Sequence, residues 1–275
     1  MPEPTLTLMG STVSTYSFLV GGALILSVMG AALHYRLHYT TWAAWDVLLA
    51  GVAGGLVLAR TFHVLLNWAY FETHTAEITQ LRAGGLNWHG AVLGALIGLM
   101  LLASVHGARV NGARLHGTHL HRVQLGVLLQ ALSMALPLLM FAAWWGCGAA
   151  HCAYGAEVNN LSEYPAWLVW EERDIYNTIL PRYAAQPLGM AGALLLAVIA
   201  WRWCRVPGAF WRVLGLLALM MFVLGFLRGD YAVNVAGLRA DQWLDLLFAC
   251  GAFLRYSVSL RASSFHAAQT KQGTR

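Results

Sequence analysis

The chain has 275 residues, of which 59% are hydrophobic and only 11% are charged. A soluble protein carries about 25% charged residues, so this composition excludes an ordinary soluble domain and indicates a membrane protein. The formal net charge of +5 does not indicate a nucleic-acid partner, because Lys and Arg lie in short segments between apolar runs rather than on one basic face.

Apolar runs of about 20 residues, the length of a helix that crosses a bilayer, follow one another along the chain. Helices are the expected form, because lipid offers no hydrogen-bond partners to the backbone. The N-terminal segment lacks the basic start of a cleavable signal peptide, so the first run should remain a span. We therefore predict an all-α membrane protein, residues 1–275 forming one polytopic membrane domain. The runs predict about seven transmembrane helices, at Tyr16–Leu33, Ala43–Ala69, Gly90–His106, Val123–Trp145, Pro187–Cys204, Gly208–Leu227 and Ala240–Leu260.

Basic and acidic connections alternate between these runs. The segment 106–122 holds three arginines and no acid, whereas the segment 146–186 holds two arginines against five acids. Positively charged connections stay in the cytoplasm, which predicts an N-terminus outside and a C-terminus in the cytoplasm. An odd number of spans requires the same result. The basic residues that enter this prediction are Arg36, Arg82, Arg109, Arg114, Arg122, Arg173, Arg182, Arg202, Arg205, Arg212, Arg261, Lys271 and Arg275.

The longest connection, residues 146–186, is expected outside the cytoplasm and is dense in tyrosine and tryptophan. A loop of this length without its own helix is uncommon unless it is functional, and Trp and Tyr suit the lipid headgroup layer. We interpret it as a small extracytoplasmic cap on the membrane surface. The alternative is a tolerated insertion without a function.

Two ionisable residues at or near membrane depth are candidates for function. Arg60 lies in the outer half of the second predicted helix, where a charge is costly unless it faces a cavity or a partner. Its guanidinium could bind a lipid phosphate, or it could hold helices together through an acid or backbone carbonyls. His89 begins the third helix after a glycine pair, where an imidazole can serve as a general base or be purely structural.

Several polar groups from distant parts of the sequence are predicted at one membrane depth. Tyr16 begins the first helix outside, and Arg228 with Asp230 closes the outer end of the sixth. Arg60 and His89 belong to the same outer level. This placement predicts a cleft that opens to the outer leaflet.

The segment from Cys147 to Cys152 leaves alternatives open. Its Cys-x4-Cys spacing with the adjacent His151 does not match a zinc site, so we expect no metal. A disulfide on an oxidising side of the membrane and a pair of free thiols remain equally possible. A haem or quinone protein is a weaker alternative, because of the eleven histidines only His63 and His89 are placed within the predicted bundle.

The order of these features resembles the prolipoprotein diacylglyceryl transferase family, bacterial membrane enzymes that move the diacylglyceryl group of phosphatidylglycerol onto a lipoprotein cysteine. The most specific match is GGLNWHGAVLG, which is similar to the family stretch Gly-Gly-x-x-x-His-Gly-x-x-x-Gly and places its essential histidine at His89. Arg60 in LVLARTFHVLLNWAYF resembles the helix-two arginine. Other residues that match family positions are Tyr16, Pro137, Tyr154, Gly155, Arg182, Gln186, Arg228 and Asp230.

The chain also departs from the family pattern. Where the family signature begins Arg-x-Gly-Asn, this chain reads Trp144-Trp145-Gly146-Cys147, so the arginine held to bind donor phosphate is missing. A glutamate and a second arginine expected in helix six fall on Gly225 and Met221, and a helix-four acid falls on Gln130. The resemblance is therefore to a divergent member.

The resemblance implies a transferase of the bacterial cytoplasmic (inner) membrane that needs no cofactor. Its partners would be an anionic, phosphatidylglycerol-like phospholipid and a prolipoprotein peptide. His89 and Tyr16 would be catalytic, and substrate would be bound by Arg60, Arg228, Tyr154, Gly155, Gln186 and Asp230. The alternative is a non-catalytic paralogue that binds lipid or a membrane partner protein after losing the charges that the chemistry requires.

Overall fold

The structure is a computed structural model that describes residues 5–8, 11–38, 43–81, 84–112, 125–204, 206 and 208–273. Of the basic residues used to predict the orientation, Arg82, Arg114, Arg122, Arg205 and Arg275 lie outside these ranges. The helices are α1 Thr15–His38, α2 Ala43–Leu66, α3 Trp68–Phe71, α4 Trp88–Gly112, α5 Leu125–Ala150, α6 Ala185–Trp203, α7 Ala209–Gly225 and α8 Ala240–Gly273. The strands form three antiparallel pairs, β1 Thr5–Leu8 with β2 Ser11–Ser14, β3 Val169–Arg173 with β4 Ile179–Tyr183, and β5 Asn234–Val235 with β6 Leu238–Arg239.

The prediction of a helical membrane protein is confirmed. Among the described residues, 5 helices are long and apolar enough to cross a membrane, and α7 is a shorter apolar helix of 17 residues. Large apolar side chains such as Leu26, Leu101 and Leu195 are exposed along these helices, as lipid-facing residues are. The second predicted span was too long, because α2 ends at Leu66 and a separate short helix, α3, follows.

The chain forms two compact units. The first, here the cap unit, comprises residues 1–27 and 132–275, and the second, the glycine-packed unit, comprises residues 28–131. Helices α1 and α5 each contribute residues to both units.

In the glycine-packed unit, α2 and α4 are in backbone contact. Gly90, Gly94 and Gly98 recur every fourth residue on α4 and therefore share one face. A Cβ at Gly94 would collide with the carbonyl oxygen of Gly54, and one at Gly98 with that of Ala50. Small residues with this spacing let membrane helices approach closely, because they remove the side chains between the backbones.

In the cap unit, α7 packs between α6 and α8 through side chains. Val213, Leu214, Leu217 and Ala218 of α7 are buried at the three- and four-residue spacing of one helix face. A Cβ at Gly215 would lie 2.9 Å from the Phe253 ring of α8, so the glycine leaves the space that this ring fills. This packing fixes the end of α7, from which Arg228 and Asp230 follow.

Residues 146–186, predicted to form a cap, contain the β3–β4 hairpin. Residues 154–158 lie beside β4, since the Val158 N–H donates to Pro181 O at 2.9 Å and the Tyr183 N–H to Ala156 O at 3.1 Å. On the other side they lie beside the end of α7, since the Gly229 N–H donates to Tyr154 O at 2.9 Å. This segment therefore joins the β3–β4 hairpin to the end of α7.

Candidate functional site

Arg60 is buried on α2, and its guanidinium binds the loop that precedes α4. Nε donates to Ile78 O at 2.8 Å, Nη2 to Glu77 O at 2.6 Å, and Nη1 to Gly84 O at 2.7 Å and Gly85 O at 3.2 Å. In the structure, Arg60 is therefore held by backbone carbonyls, which is one of the alternatives that the sequence left open. Because carbonyls carry no net charge, Arg60 keeps its positive charge.

The same loop is fitted closely around Arg60. Gly85 has a φ of +70°, a conformation that favours glycine. A Cβ there would collide with the imidazole of His63 and lie 2.8 Å from Nη1 of Arg60. Phe71 of α3 completes the enclosure, with its ring centroid 5.1 Å from the Arg60 guanidinium carbon. The site around Arg60 is thus made by three segments of one unit.

His89 is fully buried at the second position of α4. The Oδ1 atom of Asn87 accepts from the backbone N–H of His89 at 3.0 Å and of Gly90 at 3.2 Å, which is how an N-cap residue satisfies the first turn of a helix. The same Oδ1 lies 3.2 Å from Nδ1 of His89. The Asn87 N–H donates to Ala59 O at 3.0 Å, so the start of α4 is fastened next to Arg60.

Tyr154 and Gly155 occupy the segment between the cap hairpin and the end of α7. A Cβ at Gly155 would collide with the carbonyl oxygen of Tyr183, so this position has no room for a side chain. Gly155 also forms a bridge with Arg228, which brings two predicted site residues together. Burial raises the pKa of the Tyr154 phenol, and neighbouring groups including Asp174 raise it further.

Glu172 of β3 is a buried carboxyl group within this cap. Its Oε2 accepts from the Gly155 N–H at 3.3 Å. Burial raises the pKa of Glu172 above its ordinary value, against the opposing effects of the Gly155 N–H, Gln186 and Arg182. Gln186, near the start of α6, also donates from Nε2 to Cys152 O at 3.0 Å. Gln186 therefore links the end of α5 to the hairpin.

Arg182 of β4 is bound by neighbouring residues of the cap unit. Its Nη2 forms a buried ion pair with Asp174 Oδ2 at 2.9 Å, and its Nη1 donates to Gly155 O at 3.3 Å. The guanidinium carbon lies 4.8 Å from the centroid of the Tyr154 ring. Arg182 thus fixes the position of the Tyr154–Gly155 pair.

Arg228 and Asp230 belong to a network of alternating charges at the start of α8. Arg228 contacts Asp230 at 2.6 Å and Asp241 at 3.2 Å, and Arg239 contacts the same two carboxylates at 3.3 and 3.1 Å. Removal from water lowers the pKa of Arg228, but Asp230, Asp241 and Asp245 together hold it above its ordinary value. The charge of Arg228 is therefore neutralised within the unit.

A cavity of about 330 Å³ adjoins this network. Arg228, Asp230 and Arg239 line one part of it, and Asn234 and Gln242 contribute amides. The Gln242 side chain occupies the space beside Gly225, where a Cβ would lie 2.6 Å from Gln242 Cγ. The cavity is thus lined mainly by hydrogen-bonding groups.

Cys147 and Cys152 form a disulfide at the end of α5, which decides between the two alternatives left open by the sequence. The Cys152 N–H also donates to Cys147 O at 3.0 Å. Tyr16 of α1 packs on the same turn, since a Cβ at Gly146 would lie 2.8 Å from Cδ2 of the tyrosine ring. In the part of the chain that the structure describes, no cluster of His, Cys, Asp and Glu has the arrangement of a metal site.

The predicted site residues fall into two groups. Tyr16, Tyr154, Gly155, Gln186, Arg228 and Asp230 lie in the cap unit, and Arg60 and His89 lie in the glycine-packed unit. The expected common cleft remains a prediction. Sequence reasoning missed Asn87, Glu172, Arg239 and Gln242. Only Asn87 had a readable signal, because an Asn directly before an apolar helical run indicates an N-cap.

Comparison with known families decides where the chain belongs. The family model described as prolipoprotein diacylglyceryl transferase matches residues 4–257. The chain belongs to the prolipoprotein diacylglyceryl transferase family. This match extends over all eight predicted site residues, from Tyr16 to Asp230.

Individual relatives in the prolipoprotein diacylglyceryl transferase family are distant. The chain is 21% identical over 183 residues to a phosphatidylglycerol–prolipoprotein diacylglyceryl transferase of Clostridioides difficile, covering 62% of this chain and 68% of the relative. It is 31% identical over 104 residues to that of Synechococcus elongatus, covering 37% and 36%. For that of Fervidobacterium nodosum the identity is 33% over 60 residues, and the chain spans only 20% of the relative's length.

Proposed function

We propose that this chain is a membrane transferase that moves the diacylglyceryl group of an anionic, phosphatidylglycerol-like phospholipid to the cysteine thiol of a prolipoprotein. The observation that carries this proposal is the buried His89 at the start of α4, its Nδ1 3.2 Å from the Asn87 carbonyl, within a family match over residues 4–257. The names of the relatives supply the substrates.

The proposed location is the cytoplasmic (inner) membrane of a bacterium, with an N-terminus outside and a C-terminus in the cytoplasm. The count would be seven spans, made by the five long helices, α7 and the first half of α8. The Cys147–Cys152 disulfide supports this orientation, because disulfides persist on the oxidising side of a membrane. Residues 146–186 would then form an extracytoplasmic cap on one polytopic domain.

In the proposed reaction, His89 takes the proton of the acceptor thiol, because the thiolate is the nucleophilic form. The sulfur attacks the glycerol carbon that carries the phosphate, and a carbon–sulfur bond forms as the carbon–oxygen bond breaks. The phosphate monoester leaves with the electron pair and can receive the proton from His89. No oxidant, reductant or cofactor enters this balance.

The other residues would bind or orient the substrates. Most N–H groups of Arg60 are bound to backbone carbonyls, which carry no net charge. Arg60 would therefore attract the anionic lipid through its charge rather than through direct hydrogen bonds. Tyr16 would act near the reacting groups. Tyr154, Gly155 and Gln186 would shape the cap, and Arg228 with Asp230 would contact the polar headgroup from the cavity that they line.

The test is rescue of bacterial cells depleted of their own transferase, together with thioether formation by the purified protein on phosphatidylglycerol vesicles and a cysteine-containing lipoprotein peptide. Loss of a general base lowers such rates by about 10²–10⁴-fold, which is the effect expected for His89→Ala. His74→Ala is the matched control, since His74 is an exposed histidine that bonds only to its own loop. Equal activity of both variants would contradict the proposal.

A second function, lipid or partner binding without catalysis, is favoured by one specific observation. The guanidinium of Arg228 is neutralised by two carboxylates, and Trp144 stands where the resemblance expects an arginine. Neither Arg228, paired in this way, nor Trp144 would stabilise a leaving phosphate. Binding of phosphatidylglycerol by the purified protein without thioether formation would establish this function instead.

A further inference from the structure

The chemistry of Asn87 determines which nitrogen of His89 carries the proton. Its side-chain atom Oδ1 faces the backbone N–H groups of His89 and Gly90 at 3.0 and 3.2 Å. A backbone N–H can only donate a hydrogen bond, so the amide atom that faces them must be the oxygen. If the amide nitrogen of Asn87 occupied this place, its N–H groups would face the backbone N–H groups of His89 and Gly90, and no hydrogen bond could form.

The orientation of the amide in turn fixes the imidazole. An amide oxygen can only accept, so Nδ1 of His89, which is 3.2 Å away, must carry a hydrogen. In a neutral imidazole one nitrogen is a donor and the other an acceptor. The basic nitrogen of His89 is therefore Nε2.

We propose that Asn87 is a positioning residue that holds His89 in the Nδ1–H tautomer, so that Nε2 is the atom that takes the proton from the acceptor thiol. The inference rests on the proposed transferase function for its catalytic consequence only. The tautomer itself follows from the contacts within the glycine-packed unit.

The surroundings leave the imidazole little freedom to reverse this arrangement. His89 is fully buried, and the Trp88 ring lies against it with a centroid separation of 4.1 Å. The side-chain oxygen of Asn87 also accepts from the backbone N–H groups of His89 and Gly90, so it cannot follow a rotated ring. Turning the ring by half a revolution would remove the hydrogen bond to Nδ1 inside a buried site, where an unmade hydrogen bond destabilises the protein.

The experiment measures the tautomer directly. Nitrogen NMR of the full-length protein labelled with 15N-histidine separates protonated from unprotonated ring nitrogens, and the His89 signals are assigned by their loss in His89→Gln. We expect Nδ1 to be protonated and Nε2 unprotonated in the neutral form. The opposite assignment in the unmodified protein would overturn the proposal without the need for any variant.

Two variants then test whether the acceptor atom of Asn87 positions His89. Asn87→Leu has a similar size but no acceptor, and we expect it to lose the Nδ1–H tautomer and about 10²-fold or more in kcat with little change in KM for the lipid. Asn87→Asp restores an acceptor at the same place, and we expect it to regain the tautomer and at least about tenfold of the lost rate. An Asn87→Leu protein that keeps the tautomer, or the full rate, would overturn the proposal.

The outcomes also separate this inference from the proposed function. A purified protein with Nδ1 protonated and no thioether formation on phosphatidylglycerol vesicles would support the positioning of His89 and overturn the transferase. Thioether formation with Nε2 protonated would support the transferase and overturn the role of Asn87.

Discussion

The two units of the molecule hold their buried arginines in opposite ways. In the glycine-packed unit, Arg60 is surrounded by four backbone carbonyl oxygens, which satisfy its hydrogen bonds but leave its charge. In the cap unit, Arg182 and Arg228 are paired with carboxylates, which neutralise their charge. Because a lipid phosphate responds to charge, we propose that Arg60 rather than Arg228 would attract it.

The units also differ in what holds them together. The α2–α4 contact is made by backbone atoms around Gly54, Gly90 and Gly94. The cap unit is instead held by interdigitated side chains, ion pairs and a disulfide. Side chains can change rotamer to accept an added group, whereas helix backbones cannot, so the glycine-packed unit should be the more sensitive to small substitutions.

The largest effect is therefore expected for Gly94→Ala. The new Cβ would meet the carbonyl oxygen of Gly54, and overpacking of this kind costs about 3 kcal/mol of unfolding free energy. Gly126→Ala on α5 is the matched control, since its Cβ would meet nothing within 4 Å, and it should be neutral or stabilising. Thermal unfolding in detergent measures both variants, and equal melting temperatures would contradict the backbone contact.

The second effect concerns the charge difference between the units. Arg60→Gln should reduce co-purified phosphatidylglycerol by about tenfold, equivalent to about 1.4 kcal/mol of binding free energy. The double variant Arg228→Gln with Asp230→Asn removes one positive and one negative charge, so anionic lipid should be retained better than in Arg60→Gln. Quantitative lipid analysis by mass spectrometry compares them.

The prediction that Arg60 attracts anionic lipid more strongly than Arg228 would be wrong if the double variant lost more anionic lipid than Arg60→Gln. Circular dichroism of each protein shows whether the loop at residues 77–85, which Arg60 holds, has disturbed the helices. A helical signal equal to that of the unmodified protein makes the lipid measurement decisive.

The sequence predicted what depends on composition and local pattern. Apolar runs located the helices because their length matches the thickness of a bilayer. The glycines around His89 indicated close helix packing, and α2 and α4 do pack closely at these glycines. The prediction that Arg60 is embedded in the second helix was also right in place, although its partners could not be read. Carbonyl oxygens occur at every residue, so nothing in a sequence marks the ones that an arginine will bind.

The cap shows the other limit of sequence reasoning. Glu172 and Asp174 looked like two of many acids in a long loop, yet both are buried, because the β3–β4 hairpin brings them against the Gly155 N–H and Arg182. Asp241 likewise becomes a partner of Arg228, and Arg239 a partner of Asp230, only through the approach of α8 to the end of α7. Long-range pairing of this kind leaves no local periodicity in the chain.

An effect on stability smaller than that of Gly94→Ala is expected from the disulfide of the cap unit. A bridge across a sequence separation of 5 contributes about 2 kcal/mol to stability by restricting the unfolded chain. Replacing Cys147 and Cys152 together by Ala should lower the melting temperature accordingly, whereas Cys204→Ser with Cys250→Ser, which alters the cysteines outside this disulfide, should not. Alkylation followed by mass measurement should label Cys147 and Cys152 only after reduction, and labelling of both before reduction would contradict the bridge.

The smallest effect concerns Glu172, whose pKa burial raises above the ordinary value of 4.5. Because the folded protein binds this proton more tightly than the unfolded chain, the stability it contributes is fully present below pH 4.5 and is lost as the pH rises through the raised value. Because Gln cannot ionise, the melting temperature of Glu172→Gln should rise relative to that of the unmodified protein as the pH increases above 4.5. Glu171→Gln alters the exposed neighbour on the same strand and should leave the pH dependence unchanged. The gain should be modest, since the Gly155 N–H, Gln186 and Arg182 already favour the ionised carboxylate. Parallel plots of melting temperature against pH for Glu172→Gln and the unmodified protein would contradict the prediction and show that these groups fully stabilise the carboxylate.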